Sequence, residues 1–322
     1  MKITVGTFNL NNLFSRYNFK GEIDAIESEN TTLNSTVTYS FTDAESYRIR
    51  TFRGRLVKGK TRAERETIAA RILAMNVDVL AVQEVEDIDT LDLFAREHLE
   101  GLYPYRALVE GNDIRLIDLG LLSRFPLGAV TSWRHRVHPA NPGRPVFSRD
   151  LLQAEILNPA RTRTLFTLFN NHLKSHFVPF GEDPVAGAAA ANQSRQRQAE
   201  SIAAVVSERL RPDSRYLIAG DMNDPPDSQW LEPLVGSDLA MVDALEHPLE
   251  TRPAKADTPP PPGPAWTHRF KESGQPARYE LFDQIWLSPA LADKQTGAWI
   301  DRRTKHSGDA SDHDPAWIEL NL

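Results

Sequence analysis

The sequence contains no cysteine. This absence excludes disulfide bonds, thiol nucleophiles, iron–sulfur clusters and every zinc site built from thiolates. A metal ion bound by this chain must therefore use oxygen or imidazole ligands, which favours Mg²⁺, Mn²⁺ or Ca²⁺ among the hard cations.

Long apolar runs are also absent, and no stretch approaches the roughly 20 residues that a membrane-spanning helix needs. The first nine residues lack the basic start and apolar core of a signal peptide and alternate like a strand instead. We therefore expect a soluble, monomeric protein without integral membrane association, cytoplasmic by default. Secretion stays open, because a removed leader leaves no trace in the sequence.

Basic residues are in deficit, with 37 Lys and Arg against 44 Asp and Glu, which gives a formal charge of −7. A net acidic chain is a poor candidate for wrapping a polyanion without sequence preference. A local basic run could still grip one, and it comprises Arg48, Arg50, Arg53, Arg55, Lys58, Lys60 and Arg62. The alternative for this run is a solvated loop.

The pattern of apolar residues predicts an α/β or α+β protein with mixed sheets, because strand-like segments alternate irregularly with helical ones. The clearest helical periodicity runs from Arg62 to Met75, with Ile68 and Ile72 on one face. Neither an internal repeat nor a linker is visible. We expect one domain over residues 1–322, with loop insertions at about 15–60, 176–190 and 246–270.

Several predicted strands end in a polar residue that suits phosphate or metal chemistry. These residues are Asn9, Glu84, His172 and Asp221. One polar strand end means little, but four of similar chemistry predict a single functional rim at one edge of a sheet.

The sharpest local motif is Gly220-Asp221-Met222-Asn223, which follows a short apolar strand. The glycine permits a tight exit, and the carboxylate and amide alternate onto the same side. They could bind a cation or orient a phosphate. The alternative is an Asx turn that caps the next segment.

A second motif, Ser311-Asp312-His313-Asp314, places a histidine between two carboxylates. Such a histidine can have a raised pKa and a fixed tautomer, which suits a general base. The alternative is a surface acidic cluster in a turn. Asp283 lies within an apolar strand and needs a strong partner, for which a histidine is a natural choice.

Two further features remain ambiguous. Glu84 ends an apolar strand, where a carboxylate is costly unless it is paired, bound to a metal or solvated. His172 and His176 stand four residues apart and could share a metal on a helix, but they follow a predicted strand. A zinc protease is therefore disfavoured.

Six motifs occur in one order along the chain: Thr7-Phe8-Asn9-Leu10-Asn11, Gln83-Glu84, Asn171-His172-Leu173, Gly220-Asp221-Met222-Asn223, Phe282-Asp283 and Ser311-Asp312-His313. Together they resemble the endonuclease/exonuclease/phosphatase superfamily over residues 3–320. The resemblance implies a four-layered α/β/β/α sandwich, in which two packed mixed β-sheets are flanked by helices and the active site lies at one edge.

The resemblance also implies catalytic roles. His313 would be the general base for the attacking water, and Asp283 would orient it. Asp221 and Asn223 would align the nucleophile and stabilise the transition state, although family accounts differ on whether the histidine or Asp221 activates water. His172 would bind or protonate the phosphate.

The implied metal site has Glu84 as its principal ligand, completed by Asn9 and Asp312, with Mg²⁺, Mn²⁺ or Ca²⁺ as the cofactor. Asn11 stands where some members carry an acidic ligand, and an amide there would bind a metal more weakly. The substrate-binding residues that the resemblance suggests are Asn11, Asn171, Arg115 and Arg124, the last within a Leu-Ser-Arg motif.

The function that follows is a metal-dependent phosphoesterase that hydrolyses phosphodiester bonds, with nucleic acid, DNA or RNA, as its partner. One alternative is a phosphatase or phosphodiesterase acting on a lipid headgroup, an inositol phosphate or another small phosphoester, because substrates vary with loops on a shared core. An alternative of another class is a catalytically silent binding module, against which the complete set of candidate catalytic residues argues.

Overall fold

The computed structural model describes residues 1–14, 60–178, 181–211, 213–247, 249–250, 265–270, 274–302 and 310–322. The loop insertions expected at 15–60 and 246–270 lie largely outside these ranges, as does most of the basic run. None of the helices within these ranges is both long and apolar enough to cross a membrane.

The described residues form seventeen strands and five helices. The strands are β1 (Lys2–Leu13), β2 (Val79–Val85), β3 (Tyr105–Val109), β4 (Asp118–Ser123), β5 (Leu127–Ser132), β6 (Val137–His138), β7 (Asn141–Pro145), β8 (Leu151–Leu157), β9 (Thr164–His172), β10 (Tyr216–Asp221), β11 (Val242–Asp243), β12 (Leu249–Glu250), β13 (His268–Phe270), β14 (Arg278–Glu280), β15 (Asp283–Leu287), β16 (Gln295–Ile300) and β17 (Ala316–Asn321). The helices are α1 (Arg62–Met75), α2 (Ile88–His98), α3 (Pro184–Arg209), α4 (Glu232–Val235) and α5 (Pro289–Ala292).

Two large sheets dominate the fold, and both mix parallel and antiparallel pairs. One has the order β12-β16-β17-β1-β2-β4-β3, and the other has the order β11-β15-β10-β9-β8-β5. β1 runs parallel to β2, and β9 runs parallel to β10, while most other neighbours are antiparallel.

Three apolar clusters define the layers. The central cluster joins the facing sides of the two sheets, with Val5 and Ala81 on one side and Leu168 and Leu217 on the other. A second cluster packs α1 and α2 on the outer face of the first sheet, and a third packs α3 on the outer face of the second. The order of layers is therefore α/β/β/α, which confirms the expected sandwich.

Helix α1 spans the predicted residues because its signals are local. The Thr61 side chain accepts a hydrogen bond from the Glu64 N–H, and the Thr61 N–H donates to the Glu64 carboxylate. This reciprocal pair is a capping box. Asn76 ends the helix in a left-handed conformation. Helix α3, by contrast, starts at Pro184 after an Asp183 cap, so the end of the loop expected at 176–190 is helical.

A buried polar link joins the two sheets beneath one edge. Gln83 Nε2 donates to Asn170 Oδ1 at 2.7 Å, and Asn170 Nδ2 donates to the carbonyls of Val82 and Gly120 at 3.0 and 2.9 Å. Because buried polar groups are costly when unpaired, these bonds favour one alignment of the sheets. That alignment brings the C-terminal ends of β1, β2, β9 and β10 to the same edge.

Candidate active site

The four polar strand ends identified from sequence meet at this edge. Asn9 in β1 and Asp221 in β10 belong to different sheets, yet Asn9 Nδ2 donates to Asp221 Oδ2 at 2.9 Å. Glu84 ends β2 beside β1, and His172 pairs with Asp221 in the parallel register of β9 and β10. Parallel neighbours present their carboxyl ends on one side, which is why the strand-end pattern marked a rim.

Irregular backbone surrounds two residues at the site, the strand end Glu84 and its neighbour Asn11 on β1. Glu84 has a φ of 62° and Asn11 has a φ of 46°, and the register of β1 and β2 shifts around both. A non-glycine residue in the left-handed region carries strain, and a bulge redirects the side chain of its strand. Such strain concentrates at functional sites.

Gly220 has a structural role that no other residue can fill. Its φ is 139°, and a Cβ atom there would lie 2.0 Å from the Asn171 carbonyl oxygen. The glycine therefore lets β10 approach β9 closely just before Asp221.

Asp221 is the centre of the polar cluster and is buried. Its Oδ1 accepts the Asn223 N–H at 2.8 Å, and its Oδ2 lies 3.4 Å from His172 Nε2 and 3.7 Å from His313 Nε2. Burial raises the pKa of Asp221 to about 7, with the positive charge of His313 acting against the shift. The bond from the Asn223 N–H has the form of the Asx turn considered as the alternative, but it is made in a buried site between two histidines.

His313 and Asp283 form a buried pair. His313 Nδ1 lies 2.7 Å from Asp283 Oδ2, and the Asp283 N–H donates to Thr267 Oγ1 at 2.9 Å. Burial alone would lower the pKa of His313, but the charges of Asp283 and Asp221 raise it well above its usual value. Ser311, His313 and Asp314 are buried and Asp312 is half-buried, so the interpretation as a surface cluster is wrong.

Glu84 and Asp312 offer the oxygen ligands for a cation. Burial, followed by the charge of Asp312, raises the pKa of Glu84. Asn11 Nδ2 donates to Asp312 Oδ1 at 2.7 Å, and the Asn11 N–H donates to Asn9 Oδ1 at 2.9 Å. A divalent cation would relieve the repulsion between the two carboxylates, and an oxygen donor set suits Mg²⁺ or Mn²⁺, so these residues fit such an ion. The geometry gives Asn11 a role in holding Asp312.

A second group could bind a metal with imidazole ligands. One ligand atom from each of His268, Asp312 and His313 lies within 4.8 Å of the others. His268 reaches this position through an antiparallel bridge to His313, and no local pattern in the sequence pointed to it. Both candidate metal groups include Asp312. In the group with Glu84, His313 stays free to act as a base, whereas in the group with His268 it would be a metal ligand.

The described end of the basic run does not present free cations. Lys60 donates to the Ala310 carbonyl, and the charges of Glu64, Asp312 and Glu84 act on its ammonium group. Arg62 donates to Glu66 at 2.8 Å on the exposed face of α1. Both cations are therefore engaged with carboxylates of the protein.

Three guanidinium groups, those of Arg115, Arg149 and Arg278, line the cavity at this site, which has a volume of about 520 Å³ and is called the catalytic cavity below. Arg115 Nη2 and Arg149 Nε lie 2.9 and 3.3 Å from the same oxygen of Asp113. Arg149 is only 3% exposed and also donates to the Leu173 carbonyl at 3.2 Å. Sequence reasoning missed Arg149, although the charged pair Arg149-Asp150 directly before the apolar strand β8 was a signal.

Aromatic side chains form the outer wall of the catalytic cavity, and they are Phe177, Phe270 and Phe282. Phe177 is 65% exposed and Phe270 is 40% exposed, whereas Phe282 is buried and stacks on His268 with 5.0 Å between the ring centroids. His176 also stacks on Phe282, and its Nε2 lies 3.0 Å from Asp224. His176 contacts Asp224, whereas His172 contacts Asp221, so the two histidines have separate carboxylate partners and do not form a shared pair.

Two suggested substrate residues lie elsewhere. Arg124 follows β4, which runs antiparallel to β2, so it lies at the edge opposite Glu84 and bonds to Asp78 and Asn76. Asn171 is fully buried and donates to the Ala219 carbonyl at 2.9 Å. The suggestion that these two bind substrate is therefore corrected. The direction of β4 takes Arg124 to the opposite edge, and the buried side chain of Asn171 does not line the catalytic cavity. Asp118, at the other end of β4, lies near the site instead.

Several solved structures share this fold. An endonuclease/exonuclease/phosphatase from Bacteroides vulgatus has a TM-score of 0.61 and 14% identity, covering 100% of this chain and 99% of that one. A mannosyl-6-phosphatase from Bacteroides thetaiotaomicron has a TM-score of 0.55 and 14% identity, covering 99% and 100%. D. rerio TDP2, in complex with a single strand DNA product, has a TM-score of 0.56 and 13% identity, covering 100% and 99%.

No curated protein matches the sequence. A family model described as the Endonuclease/Exonuclease/phosphatase family matches residues 6–313, which is nearly the whole chain and includes every strand end at the site. The chain therefore belongs to the Endonuclease/Exonuclease/phosphatase family, whose members are metal-dependent phosphoester hydrolases.

Proposed function

We propose that this protein hydrolyses phosphodiester bonds of DNA or RNA with the help of a divalent cation. The observation that carries the proposal is the catalytic cavity, where His313 lines the same space as four carboxylates and three guanidinium groups. A phosphodiester is an anion, so attack by water needs both a base and cationic groups that offset the developing charge.

His313 is the proposed general base. Its Nδ1 lies 2.7 Å from Asp283, which holds the ring in the tautomer that leaves Nε2 as the proton acceptor. Nε2 is on the side of Asp221, so a water molecule beside both groups would be oriented by the carboxylate and deprotonated by the imidazole. Asp283 acts through the histidine as a positioning residue, and Asn223 holds Asp221 through its backbone N–H.

The phosphate oxygens are proposed to bind at His172, Arg115 and Arg149. Burial, and then the charge of Arg149, holds the pKa of His172 well below its usual value. His172 is therefore neutral near pH 7 and acts as a hydrogen-bond donor. Asp113 fixes the orientation of both guanidinium groups before substrate arrives, which preorganises the positive side of the site.

Glu84 and Asp312 are the proposed metal ligands, with Asn9 close by. When bound, a divalent cation would polarise the phosphoryl group and neutralise part of its charge. The side-chain amide of Asn9 donates to Asp221 and accepts from the Asn11 N–H, so it connects the proposed metal site with the side of the cavity where Asp221 and the base lie.

Nucleic acid is favoured as the substrate by the lining of the cavity. The fold alone leaves the substrate open, because one relative is named a mannosyl-6-phosphatase and another holds a single strand DNA product. In this chain, the exposed rings of Phe177 and Phe270 stand beside the cationic groups of the same cavity. Bases stack on aromatic side chains while cations bind the backbone, and this combination is typical of single-strand binding.

A substrate panel tests the proposal. The purified protein would be incubated with Mg²⁺ or Mn²⁺ and single-stranded DNA, plasmid, abasic duplex, RNA, sphingomyelin, inositol phosphates, a sugar phosphate and a chromogenic diester. We expect the highest kcat/KM on a nucleic acid. A preference for a phosphomonoester or a lipid headgroup would replace nucleic acid with the small-substrate alternative.

Two variants separate this activity from a contaminating nuclease. His313→Ala should lower kcat by at least about 100-fold, because it removes a positioned general base. His247→Ala is the matched control, since this histidine is 89% exposed in its side chain and is not among the residues that line the cavity. Equal activity of both variants would show that His313 is not the base.

A further inference from the structure

A second cavity lies beside the catalytic cavity and has a volume of about 590 Å³. It lies between the β6–β7 hairpin and the first turns of α3, and it is called the side cavity below. Phe177 lines both cavities, so its exposed ring stands at the boundary between them. The proposed chemistry does not use the side cavity.

The side cavity carries an excess of positive charge in a chain whose net charge is −7. Arg144, Lys174 and Arg197 line it, against one acidic residue, Glu182. The guanidinium groups of Arg144 and Arg197 make no ion pair and no hydrogen bond with any part of the chain that the structure describes, so both are available to a ligand. Lys174 Nζ donates to the carbonyls of Ser175 and Phe177 at 3.0 Å each, which fixes the ammonium group at the boundary.

Unpaired guanidinium groups in a concave surface favour an anionic ligand with several acceptor oxygens, such as a phosphate, because the planar guanidinium fork can bind two of its oxygens at once. The position next to the catalytic cavity indicates that this anion belongs to the same substrate molecule. A polynucleotide supplies phosphates at regular intervals with bases between them. The ring of Phe177 stands where a base between two such phosphates could stack.

We propose that the side cavity is a subsite for the sugar–phosphate backbone of a single-stranded polynucleotide whose scissile phosphate lies in the catalytic cavity. This inference rests on the proposed function and names the part of the substrate that gives the enzyme its preference for a strand over a small diester. Arg144 and Arg197 bind a phosphate distant from the bond that is cleaved, and Phe177 stacks a base.

Binding is measured first, by fluorescence anisotropy of a labelled single-stranded DNA oligonucleotide in EDTA, so that metal loading has no influence. The double variant Arg144→Gln/Arg197→Gln should raise Kd by roughly 3- to 30-fold, since each exposed charge contact contributes little. The slope of log Kd against log salt should fall by about 0.7, because the contact with one phosphate of a single strand is lost.

The matched control is Arg163→Gln/Arg215→Gln. Both arginines are exposed and precede β9 and β10 at the ends opposite the site, so the control makes the same change in net charge. Its Kd and salt slope should stay near those of the unaltered protein. Equal effects of the two double variants would overturn the subsite, because the loss would then reflect net charge alone.

Activity gives the second measurement. The Arg144/Arg197 variant should show a raised KM for the oligonucleotide and unchanged kcat/KM for the chromogenic diester, which cannot reach the side cavity. Phe177→Ala should weaken binding of the oligonucleotide more than binding of an abasic strand of the same length. Equal losses of kcat/KM on the oligonucleotide and on the chromogenic diester in the Arg144/Arg197 variant would overturn the inference while leaving the proposed function intact. No binding or cleavage of any nucleic acid, with cleavage of the small diester, would overturn both.

Discussion

Replacing Asp283 by asparagine is the sharpest test of the proposed base. The aspartate is fully buried, and its Oδ2 lies 2.7 Å from His313 Nδ1. The amide keeps the shape of the carboxylate but loses its charge, so it stabilises the protonated form of His313 less. The raised pKa of His313 should therefore move down in Asp283→Asn.

The size of this shift follows from the bond that is lost. A hydrogen bond to a charged group contributes about 1.5–3 kcal/mol, and one pKa unit corresponds to about 1.4 kcal/mol. The pKa of His313 should fall by about 1 to 2 units. The maximal rate should fall by roughly 10²- to 10⁴-fold, because the tautomer and orientation of the base are no longer fixed.

The sign of the pH dependence is set by the form of His313 that acts. A general base must be neutral, so the rate rises with pH and levels above the pKa of the histidine. In Asp283→Asn the rising limb of the profile should lie at lower pH. The loss of rate relative to the unaltered protein should be about 10- to 100-fold smaller at pH values below the His313 pKa of both proteins than on the plateau.

The assay is the pH profile of kcat at saturating metal on the chromogenic diester, with folding checked by thermal melts. Asp293→Asn, an exposed aspartate at the end of α5, is the control and should give the profile of the unaltered protein. A lowered plateau with the limb in its original position would refute the reasoning. The limb would then belong to another group, for which Asp221, with its pKa of about 7, is the first candidate.

The remaining predictions concern the metal, the backbone and the stability. Metal titration of the rate should show a raised half-saturating concentration for Glu84→Gln but not for His313→Ala; the reverse would place the ion at the imidazole group instead. Gly220→Ala should lower the free energy of unfolding by roughly 3 kcal/mol or more, since its Cβ would collide with the neighbouring strand, and an unchanged thermal midpoint would contradict this. Burial raises the pKa of Asp118 to about 7 from 3.8, so its ionisation destabilises the fold as pH rises from 4 to 7. Asp118→Asn should recover up to about 4 kcal/mol of the free energy of unfolding that is lost in this way. Chemical unfolding at pH 5 and 8 measures it, and a variant that is no more stable than the unaltered protein at pH 8 would show that the pKa of Asp118 is not raised.

Local signals carried much of what the sequence predicted. Helix α1 has the predicted bounds because capping and apolar periodicity act within a few residues. The motifs around Asp221 and His313 were legible because glycine, carboxylate and histidine stand together in the chain. The rim of polar strand ends was predictable because parallel strands present their carboxyl ends at one edge.

Tertiary structure decided everything that depends on which strand lies beside which and in which direction. Arg124 stands in a motif that suggested substrate binding and Arg149 stands in none. The antiparallel direction of β4 nevertheless takes Arg124 away from the site, while β8 begins at the site and brings Arg149 into it. His268 joins the cluster through a single bridge to His313, and the side cavity forms only where α3 meets the β6–β7 hairpin. Such juxtapositions arise from contacts between residues far apart in the chain, so no local pattern encodes them.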